Sequence, residues 1–287
     1  MPEQTLAVGD TLTQKWGRIA WSGSGAADPD HELWLILSPP KNGKTYLQQS
    51  NPNAFIFNFD GSPCVFPGCP AGVWPIRHGG RVLDSDGRPI ILDWPKVIKK
   101  KKELIRLAET NAERPSMIVF DTVTSMSKLL IDWIPTVMAK PDFTACGQAG
   151  WRYRNDVIVN TGLELMDAGY GVTWCVHLVA QKIAVGDQVV KSASLFEPDL
   201  SDGLWQTLQP YPSVIARLAK SESIERPKDA TGKLLPGNPI RKTQYELRTY
   251  DPAMPYSLGT RLRMPETIIL PSENPWQAVL NAIKENA

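Results

Sequence analysis

A chain of 287 residues is long enough for one large α/β domain, or one domain with a small appendage, around a full hydrophobic core. No apolar run approaches the roughly 18 residues of a membrane-spanning helix, and the N-terminal Met1-Pro2-Glu3-Gln4 lacks a basic-then-apolar leader, so a cytoplasmic protein with no membrane partner is expected. A formal net charge of +1 provides no global field toward nucleic acid, so any such binding must rest on local patches.

In chain order, residues 1–30 read as a polar N-terminal extension, with a short strand predicted around Gly17 to Ser22. An apolar strand Leu33 to Leu37 runs into the turn-rich loop Ser38-Pro39-Pro40-Lys41-Asn42-Gly43-Lys44-Thr45, and a helix should start near Gly43. Ala54 to Phe59 fits a second buried strand, ending at Asp60-Gly61. Residues 61–94, rich in Pro, Gly and Asp, read as an irregular insertion. Its Cys64 and Cys69, with His78 downstream, have no well-spaced fourth ligand for zinc, and four cysteines are too few for a disulfide scaffold.

A helix from Pro95 carries the run Lys99 to Lys102, which reads as a solvated face or a nucleic-acid patch. Met117 to Phe120 forms a third buried strand ending at Asp121-Thr122, followed by a helix. Residues 140–154 read as a loop, residues 155–168 as a helix, and Gly171 to Val176 as a strand ending at His177. Lys182 to Val190 reads as a hairpin around Gly186-Asp187. Val214 to Leu218 and Tyr245 to Tyr250 read as later, antiparallel strands, and a last helix runs from about Pro275 to Lys284. The alternation predicts an α/β fold with a mostly parallel central sheet flanked by helices and antiparallel additions on the C-terminal side. Residues 31–220 form the core, and residues 221–287 complete the same domain.

The loop after the first strand has the form of a phosphate-binding P-loop, with Ser38 where the first Gly is usual. Gly43 permits close backbone approach to phosphates, Lys44 supplies a point charge, and the Thr45 hydroxyl suits Mg²⁺; Ser38 to Tyr46 is the predicted nucleotide-binding stretch. A small residue at position 38 is tolerable if its φ is negative. Ligands of open parallel sheets bind beyond the carboxyl ends of the strands, and polar residues stand at those ends here. Asp121 is a helix cap or, beside a P-loop, the carboxylate that holds Mg²⁺. Asp60 is a turn residue or the group that orients the attacking water. His177 is a satisfied imidazole or a γ-phosphate sensor acting on residues 178–203.

The ordered series Ser38 to Thr45, Ile56 to Asp60, Met117 to Thr122 and Cys175 to His177 resembles the RecA-like P-loop ATPases. Among these it looks most like compact phage-encoded AAA-domain nucleotide-binding or single-strand-annealing proteins, for which the compartment would be the host cytoplasm. The resemblance implies ATP with Mg²⁺, and assembly into homo-oligomeric rings or filaments with ATP between subunits. It places the catalytic carboxylate, often Glu in the family, on Asp60, the metal-binding Asp on Asp121 and the sensor on His177. It maps single-stranded-DNA-binding loops to about 140–154, with Phe143, Trp151, Arg152, Tyr153 and Arg154, and to 178–203, with Lys182 and Lys191. The alternative for these side chains is packing or simple solvation. Arg261 and Arg263 are the candidates to complete a neighbour's site in trans, or are surface charges.

The leading expectation is a Mg²⁺-dependent ATPase acting on single-stranded DNA in recombination, annealing or replication, with Lys44, Asp60 and His177 in catalytic roles. A nucleotide-gated binding module with little hydrolysis and a P-loop phosphotransferase are the alternatives.

Overall fold

A computed structural model describes residues 28–78, 81–83, 92–110, 113–185, 188–225, 240–254 and 258–286. The elements in chain order are β1 (Leu33–Ser38), α1 (Lys44–Gln49), β2 (Ala54–Asn58), β3 (Gly72–Trp74), β4 (Ile76–His78), β5 (Arg81–Leu83), α2 (Trp94–Thr110) and β6 (Met117–Asp121). Then follow α3 (Val123–Val137), α4 (Gly147–Asp167), β7 (Gly171–Val185), β8 (Gln188–Pro198), α5 (Asp202–Leu208), β9 (Val214–Glu225), β10 (Ile240–Arg248), β11 (Gly259–Thr260), β12 (Thr267–Leu270) and α6 (Pro275–Asn286).

The main sheet has the order β12-β10-β9-β1-β7-β6-β2-β3. The strands from β9 to β3 run parallel to one another, whereas β10, β11 and β12 are antiparallel additions, and β8 pairs antiparallel with β7. This is the α/β class read from the sequence. Every residue of β1 is buried, as expected of a central strand covered on both faces. Side chains alternate across it: Leu33, Leu35 and Leu37 join the core formed with α2 to α5, while Trp34 and Ile36 join the opposite core with Leu47 of α1 and Trp276, Val279 and Ile283 of α6. The fit is close where α4 crosses the sheet. A Cβ on Gly162 would lie 2.6 Å from the buried Trp174 ring.

The chain steps from β1 over two strands to β2, so the carboxyl ends of β1, β2, β6 and the middle of β7 meet on one side of the sheet. That crevice is where such sheets bind ligands.

Several boundaries differ from the sequence reading. His177 does not end a strand: β7 continues to Val185, and at His177 its partner changes from β1 to β8. Leu178 just beyond it is still in the core, but Val179 is exposed, because the strand there leaves the two-sided core. Residues 147–154 are the first turns of α4 rather than loop, with glycines at 147 and 150 outweighed by tertiary packing. β9 lies parallel to β1, although antiparallel to β10. The insertion is not wholly irregular, since β3 extends the sheet beside β2 and β4 pairs with β5. The strand expected at Gly17 to Ser22 and the turn at Gly186-Asp187 lie outside the described residues.

Candidate functional site

Between β1 and α1 the chain must turn around a concave loop, and its backbone angles explain which residues it tolerates. Gly43 has φ of 89° and Lys41 of 64°, whereas Ser38 is not among the positive-φ residues. A side chain at position 38 therefore costs no left-handed strain, and the departure from Gly is conformationally harmless. Pro39 and Pro40 have no N–H to offer, so the amides available to an anion begin at Lys41.

Lys44 is buried, at 4% relative exposure, and its Nζ donates to the carbonyl oxygens of Ser38 (2.9 Å) and Pro39 (3.2 Å). Burial pushes its pKa down from the usual lysine value. The loop thus holds the cation against its own carbonyls.

The Thr45 hydroxyl donates to Asp121 Oδ2 at 2.7 Å. Asp121 is 1% exposed, and its Oδ1 is buried without a hydrogen-bond partner among the described residues. Burial, reinforced by the nearby Asp60 charge, outweighs the Thr45 hydrogen bond and the Lys44 and His177 charges, and raises its carboxyl to about 6. An orphaned buried carboxylate oxygen beside a threonine hydroxyl is an all-oxygen donor set that fits Mg²⁺. The helix-cap role falls instead to Thr122, whose hydroxyl accepts from the Ser125 N–H.

Asp60 lies one step further along the crevice, its N–H bound to the Asp121 carbonyl at 3.2 Å. Thr122 Oγ1 donates to its Oδ1 at 3.0 Å, and His177 Nε2 lies 3.3 Å from its Oδ2. Burial works to raise this carboxyl, but hydrogen bonds from His177, Ser125 and Thr122 and the imidazole's charge outweigh it, leaving the pKa below its ordinary value. Two neighbouring carboxyls are thus driven in opposite directions, a pattern that separates their roles. Asp60 stays ionised at neutral pH, while Asp121 favours a cation to balance it. His177 is tied onward as well: its N–H donates to Thr124 Oγ1, and its carbonyl accepts from the Asp199 N–H just beyond β8.

Lys44, Thr45, Asp60, Asp121 and His177 all line one cavity of about 580 Å³. Tyr46, the last residue of the predicted stretch, lines it too. The rest of the wall was not legible in the sequence. Leu218, Thr243, Tyr245 and Leu270 line it, and the Tyr245 ring lies 3.2 Å from where a Cβ on Gly43 would sit. Tyr245 is 200 residues from the loop and reaches it only because β10 stacks beside β9 and β9 beside β1; no local signal marks it.

The other expected residues are dispersed. Phe143 packs edge-on against Trp151 at 4.7 Å, and Tyr153 stacks on Trp133 at 6.3 Å, yet Trp151 and Tyr153 remain 44% and 37% exposed and Arg152 is exposed. Arg154 is different: it is buried, its guanidinium lies over Trp151 and donates to Asn155 Oδ1 and Ser201 Oγ, so it braces α4 against the start of α5. Burial lowers its pKa to about 10. Lys182 and Lys191 are exposed and stand directly opposite each other across β7 and β8. Within the lysine run, Lys100 pairs with Glu103 and Lys101 with Glu164. Arg261 and Arg263 are exposed after β11, and Arg261 donates to the Pro210 carbonyl.

In comparisons with known proteins, the chain has a fold-level likeness to a KaiC-like protein of the hyperthermophilic archaeon Pyrococcus horikoshii OT3, with 9% identity over 84% of this chain and 86% of that one and a TM-score of 0.36. The flagellar accessory protein FlaH of Methanocaldococcus jannaschii is similar at 11% identity over 92% of each chain, with a TM-score of 0.32. No curated protein matches the sequence. The family described as an AAA domain matches residues 33–233, a span that contains the P-loop, Asp60, Asp121 and His177, and the chain therefore belongs to the AAA-domain family of P-loop ATPases.

Proposed function

We propose that this protein is a Mg²⁺-dependent, RecA-like ATPase that acts on single-stranded DNA in phage-type recombination, annealing or replication. The observation that carries the ATPase reading is the junction of Thr45 with the orphaned Asp121 carboxylate, beside Lys44 and within one cavity with Asp60. Thr45 and Asp121 would hold Mg²⁺, which would supply positive charge to offset that of the phosphates. The amides from Lys41 to Thr45 and the Lys44 ammonium hold the phosphate chain, and Tyr245 offers an aromatic face to the base. Asp60 orients a water whose oxygen attacks the γ-phosphorus, and the bond to the bridging oxygen breaks to leave ADP and phosphate. His177 holds Asp60 and continues into the β7–β8 hairpin, which supports its reading as a sensor.

The DNA reading draws support from the like-charged pair Lys182 and Lys191. Two exposed lysines directly opposite one another destabilise a hairpin and are relieved by a polyanion. With Trp151, Arg152 and Tyr153 exposed on α4, the surface offers both phosphate partners and stacking faces. ATP lies between subunits of a homo-oligomer in this reading, with Arg261 or Arg263 reaching the neighbouring site.

A second reading, a nucleotide-gated module with slow hydrolysis, is favoured by one feature: both Asp60 oxygens are already engaged, by Thr122 and His177. ATPase rates with and without single-stranded DNA separate the two. Stimulation by DNA, lost in Lys44→Ala together with nucleotide binding, is the expected result. Wild-type turnover in Lys44→Ala would sink the P-loop assignment, and a slow, DNA-insensitive rate would select the gated module.

A further inference from the structure

The segment that leaves β2 just after Asp60 is held against the P-loop helix. Ser62, Pro63 and Val65 line the cavity. The buried Gln49 side chain on α1 accepts from the Val65 N–H (2.7 Å) and Phe66 N–H (3.1 Å), and its amide donates to the Pro63 carbonyl (3.0 Å). Phe66 packs edge-on against Tyr46 of the same helix at 5.0 Å. Because Lys44 and Thr45 begin α1, this segment and the phosphate-binding turn share one support.

The same segment carries two thiols. Cys64 is exposed and Cys69 partly buried, and a turn in which the Cys69 N–H donates to the Phe66 carbonyl brings the chain back so that the two thiols interact, while Cys69 Sγ donates to the Ala71 carbonyl at 3.9 Å. The other two cysteines, Cys146 and Cys175, are buried. Neither Cys64 nor Cys69 lines the cavity, and among the described residues no group of three or more His, Cys, Asp or Glu residues is placed to hold a metal ion.

We propose that Cys64 and Cys69 are a modification site, a dithiol that closes to a reversible intramolecular disulfide and thereby regulates occupancy of the adjacent cavity; the regulatory part rests on the reading of that cavity as a nucleotide site. The oxidant is a small-molecule disulfide. The exposed Cys64 thiolate attacks one sulfur of it and releases one thiolate, leaving a mixed disulfide on Cys64. Cys69 then gives its proton to solvent and attacks Cys64 Sγ, expelling the second thiolate. Two electrons pass from the cysteine pair to the oxidant, which leaves as two thiols. Cys64 is exposed whereas Cys69 is partly covered, and burial and the neighbouring Cys64 thiol push the Cys69 thiol up to about 12, so Cys64 is the first to react. Ring closure draws in the backbone that includes the Val65 and Phe66 amides. It competes with their bonds to Gln49, shifts Phe66 on Tyr46 and lowers nucleotide affinity.

The test uses the full chain, treated with oxidised glutathione or with dithiothreitol. Thiols are counted by alkylation and intact mass, and binding of a fluorescent ATP analogue with Mg²⁺ is measured on the same samples. Oxidation is expected to remove two alkylatable thiols without leaving a glutathione adduct, and to weaken nucleotide binding several-fold, with recovery in dithiothreitol. Cys64→Ser, at an exposed position, and Cys69→Ser should each bind nucleotide equally well in both conditions. A stable glutathione adduct on Cys64, four thiols remaining, or a disulfide with unchanged affinity would overturn the proposal. Absence of nucleotide binding in the reduced protein would instead overturn the nucleotide reading and the regulatory part with it, while the thiol count still decides whether the pair closes.

Discussion

Asp121 and Asp60 show how single side chains in one crevice acquire different chemistry. Both are Asp at the end of an apolar strand, and both can be picked out from the sequence on that ground. What differs is burial and donors: Asp121 has one hydroxyl and an orphaned oxygen, whereas Asp60 has His177, Ser125 and Thr122 around it. The Asp121 carboxyl rises from 3.8 to about 6, so the native state holds this proton more tightly than the unfolded chain. Its ionisation therefore costs native stability: nothing below about pH 4, increasingly from there to about 6, and in full above. Asp121→Asn keeps an acceptor for Thr45 and removes the buried charge. The nucleotide-free variant should be more stable than wild type by about 1–3 kcal/mol above pH 6, with the gap closing toward pH 4, and should lose Mg²⁺-dependent nucleotide binding. Urea unfolding across pH, paired with a binding assay, checks both; equal stability at pH 8 would contradict the burial argument.

Elements decide which residues meet. Strands β1, β2 and β6 were readable because central parallel strands are continuous apolar runs, and their carboxyl ends supplied the P-loop, Asp60 and Asp121. β10 has no such run, and its Tyr245 becomes part of the site through register alone, opposite Lys220 on one side and Leu270 on the other. Removing its ring in Tyr245→Ala should raise the dissociation constant for ATP about tenfold, since stacking on a base is worth roughly 1–3 kcal/mol. The loss should be much smaller for inorganic triphosphate, which has no base, and an equal loss for both ligands would remove Tyr245 from a base-stacking role. Helix α4 shows the opposite failure of local reading. Gly147 and Gly150 look like loop residues, yet a Cβ at 150 would come within 2.5 Å of the Cys146 side chain, so glycine serves a close approach within a helical segment. Arg154 was expected to face DNA and instead ties Trp151, Asn155 and Ser201 together, because a helix turns that side chain inward.

At the scale of the whole molecule, the cavity and the exposed Lys182 and Lys191 pair are joined by one strand, β7, which carries His177 beside Asp60 and Lys182 further out. Charge reversal of the hairpin pair in Lys182→Glu/Lys191→Glu should weaken single-stranded DNA binding and reduce its salt dependence by roughly two phosphate contacts, while basal nucleotide binding is retained. Unchanged DNA affinity at low salt would move any DNA site away from this hairpin. The sequence by itself determined the α/β class, the P-loop and the two carboxylates, because these rest on local patterns: apolar runs of strand length, a turn that needs Gly43, and polar residues at strand ends. Only the tertiary structure decided that Ser38 is unstrained, that Thr122 rather than Asp121 caps α3, that His177 lies inside a strand that changes partners, and that Tyr245 and the segment from Ser62 to Val65 wall the same cavity. Those features depend on backbone angles, burial and register between segments far apart in the chain, and no periodicity within a single segment encodes them.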